Sequence, residues 1–267
     1  YVSSFLECVL LSLFLGRMLD AQAGSWPWLF AGFSFISLTS LIGMYRIPMK
    51  TPQSFKPVVP SFEQNFLQPW KESYALTKQH PHFAHFQWSF MIGGFGLMLM
   101  FPAFAIYVSD VLKVSYNSLS LARCMWMAVG VTLSSPIWRL AIKHLPTHKL
   151  TSIVCIGFSF YPIALLIAQV EISWFYLAFL LYGIAQAGSH LLWHLSGTLF
   201  AGDQENSSKF TTVNILTVGL RGLIAPALGG VICKFFGPTT NMVIGSGLCL
   251  VGGWYMLSVE KKVVKQA

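Results

Sequence analysis

Apolar runs close to the thickness of a bilayer recur along this chain at short intervals. They fall at 2–15, 26–44, 88–108, 119–138, 150–168, 174–200, 212–236 and 241–259. About 20 apolar residues in a helix cross a hydrocarbon core. A helix also closes its own backbone hydrogen bonds where no water is present to do so. Charged residues make up 10% of the chain, against roughly 25% in a soluble domain, and mean hydropathy is +0.62. The sequence therefore predicts an all-α fold, a polytopic membrane helix bundle with about eight transmembrane helices. The first run is short and opens at Tyr1 with no basic stretch before it. That pattern reads as the interior of a longer protein rather than as a signal peptide.

The net charge of +8 is distributed by topology. With residues 47–86 and the carboxyl terminus placed in the cytoplasm and the spans alternating, most basic residues gather on one side. These are Arg46, Lys50, Lys56, Lys71, Lys78, Arg139, Lys143, Lys149, Lys209, Lys261, Lys262 and Lys265. Only Arg17, Lys113, Arg123 and Lys234 fall on the other side. This is the positive-inside asymmetry of an inner or plasma membrane protein. No interleaving of aromatic and basic residues suggests nucleic acid. Five cysteines at unrelated spacings, without a Cys-x-x-Cys pair, argue against a disulfide framework or a structural zinc site.

One segment interrupts the apolar rhythm. Residues 47–86 are polar, with Pro48, Pro52, Pro57 and Pro60 holding the first half extended. A short amphipathic helix is expected between Trp70 and Lys78. The predicted organisation is thus two helices in 1–46, a cytoplasmic linker over 47–86, and a six-helix bundle over 87–267.

That layout, together with three local patterns, resembles the major facilitator superfamily of transporters, over transmembrane helices five to twelve. Gly16-Arg17-Met18-Leu19-Asp20 followed by Trp26-Pro27-Trp28-Leu29-Phe30 is similar to the joint between helices five and six. Ser134-Ser135-Pro136-Ile137-Trp138-Arg139-Leu140, with Lys143 and Lys149, resembles the exit of helix eight. The loop departs from the family's charged motif at Ile142 and Leu145. Arg221-Gly222-Leu223-Ile224-Ala225-Pro226-Ala227-Leu228-Gly229-Gly230 resembles helix eleven. The resemblance implies two pseudosymmetric halves rocking about a midplane site, with helices five, ten and eleven beside the cavity.

Arg221 is the residue that most needs an explanation. It sits mid-run in 212–236, at least nine residues from either end, too deep for its side chain to snorkel readily. A charge there is costly unless it faces protein or water and finds a partner. Asn214, Thr217 and Arg221 follow at i, i+3 and i+7 and form one polar stripe. Glu7 is the second charge expected at membrane depth, and the resemblance places it across the cavity from Arg221. Arg221 then either meets an anionic solute or pairs with Glu7, which could carry a proton. Gln186, His190, Trp193 and His194 lie on one face of the 174–200 run. There Trp193 could stack a ring, and the histidines could hydrogen-bond a solute or relay protons. Packing of polar groups between helices is the alternative for each of these.

The function expected is secondary active transport of a small solute by alternating access, coupled to an ion gradient. No catalytic residue, cofactor or metal is assigned, and an enzyme is not expected. No phosphate-binding Gly-x-x-x-x-Gly-Lys-Ser/Thr loop is present. The rival reading is a membrane-bound di-iron enzyme of the desaturase type, using His80, His82, His85, His144, His148, His190 and His194 as clustered ligands.

Overall fold

The computed structural model describes residues 14–46, 61, 63, 67–201 and 207–264, with side chains as far as 259. Every regular element among them is helical. They comprise α1 (14–21), α2 (Trp26–Tyr45), α3 (Gln68–Gln79), α4 (Pro81–Val111), α5 (Tyr116–His144), α6 (Thr147–Ile167), α7 (Ser173–Phe200) and the long helix Ser207–Val264. Six of these are long and apolar enough to cross a membrane: α2, α4, α5, α6, α7 and the last.

The last helix is not one rod. Gly237 has φ 83° and ψ 164°, a region open in practice only to glycine, and Pro238 follows it. This breaks the chain into α8 (207–236) and α9 (238–264), each longer than the ~20 residues a span requires. Asn241 Nδ2 donates to the Gly229 carbonyl at 2.7 Å, although twelve residues of unbroken helix would separate the two by about 18 Å. The chain therefore doubles back, and α8 and α9 form a hairpin. The seven apolar runs from 26–44 to 241–259 all lie on described helices. The run 2–15 falls almost wholly outside the described residues, so the expected count of eight rests on a segment beyond them.

Helix α4 sits between the two arms of that hairpin. Along α8, Gln87 meets Asn214, Gly94 meets Arg221 and the Leu99 carbonyl meets Gly229, so these two helices run parallel. Along α9 the order reverses. Ser89 Oγ donates to the Gly252 carbonyl at 2.8 Å, and Gly96 lies against Gly245 and Leu248. A methyl group on Gly96 would stand 2.5 Å from the Gly245 carbonyl oxygen. Glycine is what lets the two backbones approach so closely, the usual route to helix association in lipid. Helix α6 joins α9 through Ser152 Oγ to the Gly253 carbonyl, 2.7 Å, and Ser246 Oγ to the Ser159 carbonyl, 3.2 Å. Helix α5 lies along α7, where Trp138 Nε1 donates to the Ile184 carbonyl at 2.8 Å above Gly188.

The apolar core has two parts. Phe83, Phe86, Phe90, Leu192 and Phe210 fill the end nearest α3, and Met100, Tyr107, Phe175, Phe179 and Met242 fill the opposite end. The linker region differs from expectation at its border. Helix α4 begins at Pro81, and Phe83 and Phe86 are fully buried, although His80, His82 and His85 make this stretch look like a polar linker. Pro81 suits the first turn because its missing N–H has no intrahelical acceptor there. Helix α3 seats Leu76 in the bundle and leaves Trp70, Tyr74 and Lys78 exposed. Helix α2 buries no residue at all.

Because nothing crowds Gly237, Gly237→Ala isolates the backbone cost of the hairpin. It should destabilise the protein in detergent by on the order of 1–3 kcal/mol. Gly247→Ala, in open space on a regular helix, should leave the thermal midpoint unchanged or slightly raised.

Candidate functional site

The stripe Asn214–Thr217–Arg221 exists as one face of α8, and that face is pressed against α4. Helix α4 answers it with Gln87, the Phe90 carbonyl and Gly94, which share a face at i, i+3 and i+7. Gln87 Nε2 donates to Asn214 Oδ1. Asn214 Nδ2 donates to Ser196 Oγ at 2.6 Å, and Ser196 Oγ donates to the Trp193 carbonyl at 2.8 Å. Thr217 Oγ1 donates within its own helix to the Val213 carbonyl at 2.9 Å and stands 3.4 Å from Gln87 Oε1. A directional chain of donors and acceptors thus crosses α4, α8 and α7 between buried side chains. Gln87, Asn214 and Ser196 are all buried, Asn214 to 1% exposure.

Arg221 lies two turns further along α8. Its Nη1 donates to the Phe90 carbonyl at 2.6 Å, and its Nε is buried without a hydrogen-bond partner among the described residues. Gly94 makes the recess for the guanidinium, since a methyl there would fall on Nη1. Among the described residues the sole ion pair is Lys71–Glu63, at 3.3 Å and exposed, so no described carboxylate neutralises Arg221. Its charge at bilayer depth, costing roughly 2.5–3.5 kcal/mol or more, is met there by a carbonyl dipole. Its hydrogen-bonding capacity is therefore only partly used. A guanidinium with free N–H groups is suited to fork-like capture of a carboxylate or phosphate.

The α7 residues form a second, separate group. Gln186 Nε2 and His190 Nε2 stand 2.6 Å apart, within hydrogen-bond distance. The His190 and His194 rings are 6.2 Å apart and nearly perpendicular. Both histidines are exposed, whereas Gln186 and Trp193 are half-buried. Gly197, which continues the same spacing, turns away and packs on Ser207 and Thr211. The expected α7 face is thus divided. Its polar side chains point outward, and the helix meets the Arg221 side of the bundle through Ser196 and the Trp193 carbonyl. No hydrogen bond or ring contact among the described residues joins His190 or His194 to Arg221. Glu7 lies outside the described residues.

All seven histidines are described. His80 packs edge-on to Phe210 at 5.2 Å, and His85 Nδ1 is 2.7 Å from the Tyr255 hydroxyl. Among the described residues no three His, Cys, Asp or Glu side chains converge as metal ligands would.

Two participants were not singled out from sequence. Gln87 is a lone amide at the border of an apolar run, and Ser196 is a small hydroxyl that sequence alone cannot distinguish from a packing residue. The retrievable signal was the repeat of Gln87 and Gly94 seven residues apart, matching Asn214 and Arg221 at the same spacing.

No protein-family model matches the chain, and neither the curated proteins nor the solved structures contain a match.

Asn214→Leu should leave the amide of Gln87 and the hydroxyl of Ser196 unpaired between helices. A loss of about 1–3 kcal/mol is expected in denaturant unfolding, against no change for Thr198→Ala on the exposed face. An unaltered midpoint for Asn214→Leu would contradict the assigned chain.

Proposed function

We propose that this chain belongs to a secondary transporter of the major facilitator type, moving a small, anionic solute across the membrane by alternating access. The single observation that carries the reading is Arg221, a half-buried guanidinium held by one carbonyl in an apolar bundle, its Nε buried and unpartnered and no carboxylate on it among the described residues. A purely structural cation at such depth would be expected to use all its donors or to be replaced by an apolar residue. A site that must bind and release an anion requires the opposite: donors held near their working position but incompletely satisfied. The buried chain Gln87–Asn214–Ser196 fixes α8 against α4 and α7 and so fixes the axial level at which Arg221 stands.

In this reading the solute's carboxylate or phosphate displaces the Phe90 carbonyl from Nη1 and takes the guanidinium as a fork. The stripe of Gln186, His190 and His194 supplies hydrogen-bonding groups on the neighbouring helix, with protons as the candidate coupling ion. The end of the bundle bearing α3 lies in the cytoplasm, in accord with the basic residues Lys71, Lys78, Arg139, Lys143, Lys149 and Lys209 at that end. Substrate-driven rocking, rather than nucleotide hydrolysis, fits the lack of a phosphate-binding loop.

In proteoliposomes holding the protein in its full-length context, uptake of small carboxylates under an imposed proton gradient should fall at least tenfold in Arg221→Ala, with membrane insertion intact. Gly94→Ala should produce a partial loss, because its methyl dislodges the guanidinium while leaving the backbone in place. Unchanged uptake in Arg221→Ala would remove Arg221 from the transport path.

A further inference from the structure

Helix α1 meets the six-helix unit at the first turn of α5. Asp20 Oδ1 accepts the Tyr116 N–H at 2.8 Å, and Oδ2 accepts the Asn117 N–H at 3.0 Å. Ser115 Oγ accepts the Ser118 N–H at 3.2 Å. Three N–H groups that a helix start normally leaves to water are therefore occupied. Two of them are held by one carboxylate from a residue 96 positions earlier in the chain. A negative charge at this end of a helix is also favoured by the helix dipole. One turn before Asp20 the backbones come together. Gly16 is buried, and a methyl on it would stand 2.8 Å from Asn117 Cα and 3.0 Å from Ser120 Oγ.

The same joint contains a group that opposes closure. Asn117 Oδ1 is buried and has no hydrogen-bond partner among the described residues. An amide oxygen shut away from water without a donor is destabilising. It lies on the residue whose N–H Asp20 holds and whose Cα Gly16 covers. Closing the joint therefore gains two charge-assisted hydrogen bonds and forfeits the hydration of one amide oxygen.

We propose that the Asp20–α5 contact is a reversible latch between α1 and the six-helix unit, with the unpartnered Asn117 oxygen setting how readily it opens. Asp20 closes the latch, Gly16 allows the approach, and Asn117 keeps the closed form from becoming permanent. The latch lies at the end of the bundle opposite α3, where α5 starts and α4 ends. It does not depend on the transport reading, since its state can be measured without any solute.

The test is hydrogen–deuterium exchange at the Tyr116 and Asn117 amides of the whole chain in nanodiscs, corrected for intrinsic rates. Asp20→Ala should lower protection at both amides at least tenfold, and Gly16→Leu should do so by keeping α1 off. Asn117→Ala should act in the opposite direction and raise protection severalfold. In the Asp20→Ala background that gain should vanish, as a coupled pair requires. Protection that survives Asp20→Ala would overturn the latch. An equal Asn117→Ala gain in both backgrounds would overturn the role of its oxygen, because the substitution would then be acting on α5 alone.

Discussion

Inside a bilayer a polar side chain has no water to fall back on, and the packing around α4 follows from that. Asn214 is the focus. Its carbonyl takes a hydrogen from Gln87 and its amide gives one to Ser196, so one side chain determines how α4, α8 and α7 are rotated about their axes. A slip of one residue along α8 would break both bonds. Glycines at the α4–α9 contact then let α9 close on the other side of α4, where hydroxyl-to-carbonyl bonds again set the register. Each such bond contributes on average about 0.6 kcal/mol in a membrane. Their collective effect is on uniqueness, because apolar faces alone pack in many registers.

Much of this arrangement was legible in the sequence. Span-length apolar runs carry their own signal, since the requirement for backbone satisfaction in lipid leaves few alternatives to a helix. The hairpin turn that the structure shows at Gly237-Pro238 falls between two such runs. The stripe from Asn214 to Arg221 could be read because its spacing is set by the helix alone. What could not be read was the direction the stripe faces. Period gives a face but not a neighbour, and the neighbour turned out to be α4 through Gln87, Phe90 and Gly94. The α7 face shows the same limit. Gln186, His190 and His194 share a side, but one further step of the pattern reaches Gly197, which is buried on α8. The start of α4 was hidden for a different reason. Three histidines and Gln87 lowered the apparent hydropathy of a turn whose phenylalanines are fully buried.

The two charged groups of greatest interest are held in contrasting ways. Asp20 is exposed and uses both carboxylate oxygens on the start of α5. Arg221 is half-buried and uses one donor of its guanidinium on one carbonyl. Solvent can replace what Asp20 loses on release, so its contact is suited to opening and closing. Water cannot readily replace what Arg221 lacks, so its site is suited to a ligand that brings its own charge.

That contrast leads to one decisive measurement. The thermal midpoint of the purified protein should be followed against a panel of small carboxylates and phosphates, in wild type and in Arg221→Met. A ligand that binds only the folded state raises the midpoint in proportion to its occupancy. The account predicts at least one anion that stabilises wild type in a concentration-dependent way and leaves Arg221→Met unmoved. Equal stabilisation of both proteins, or none by any anion together with a higher midpoint for Arg221→Met, would contradict it and leave Arg221 as a packing residue.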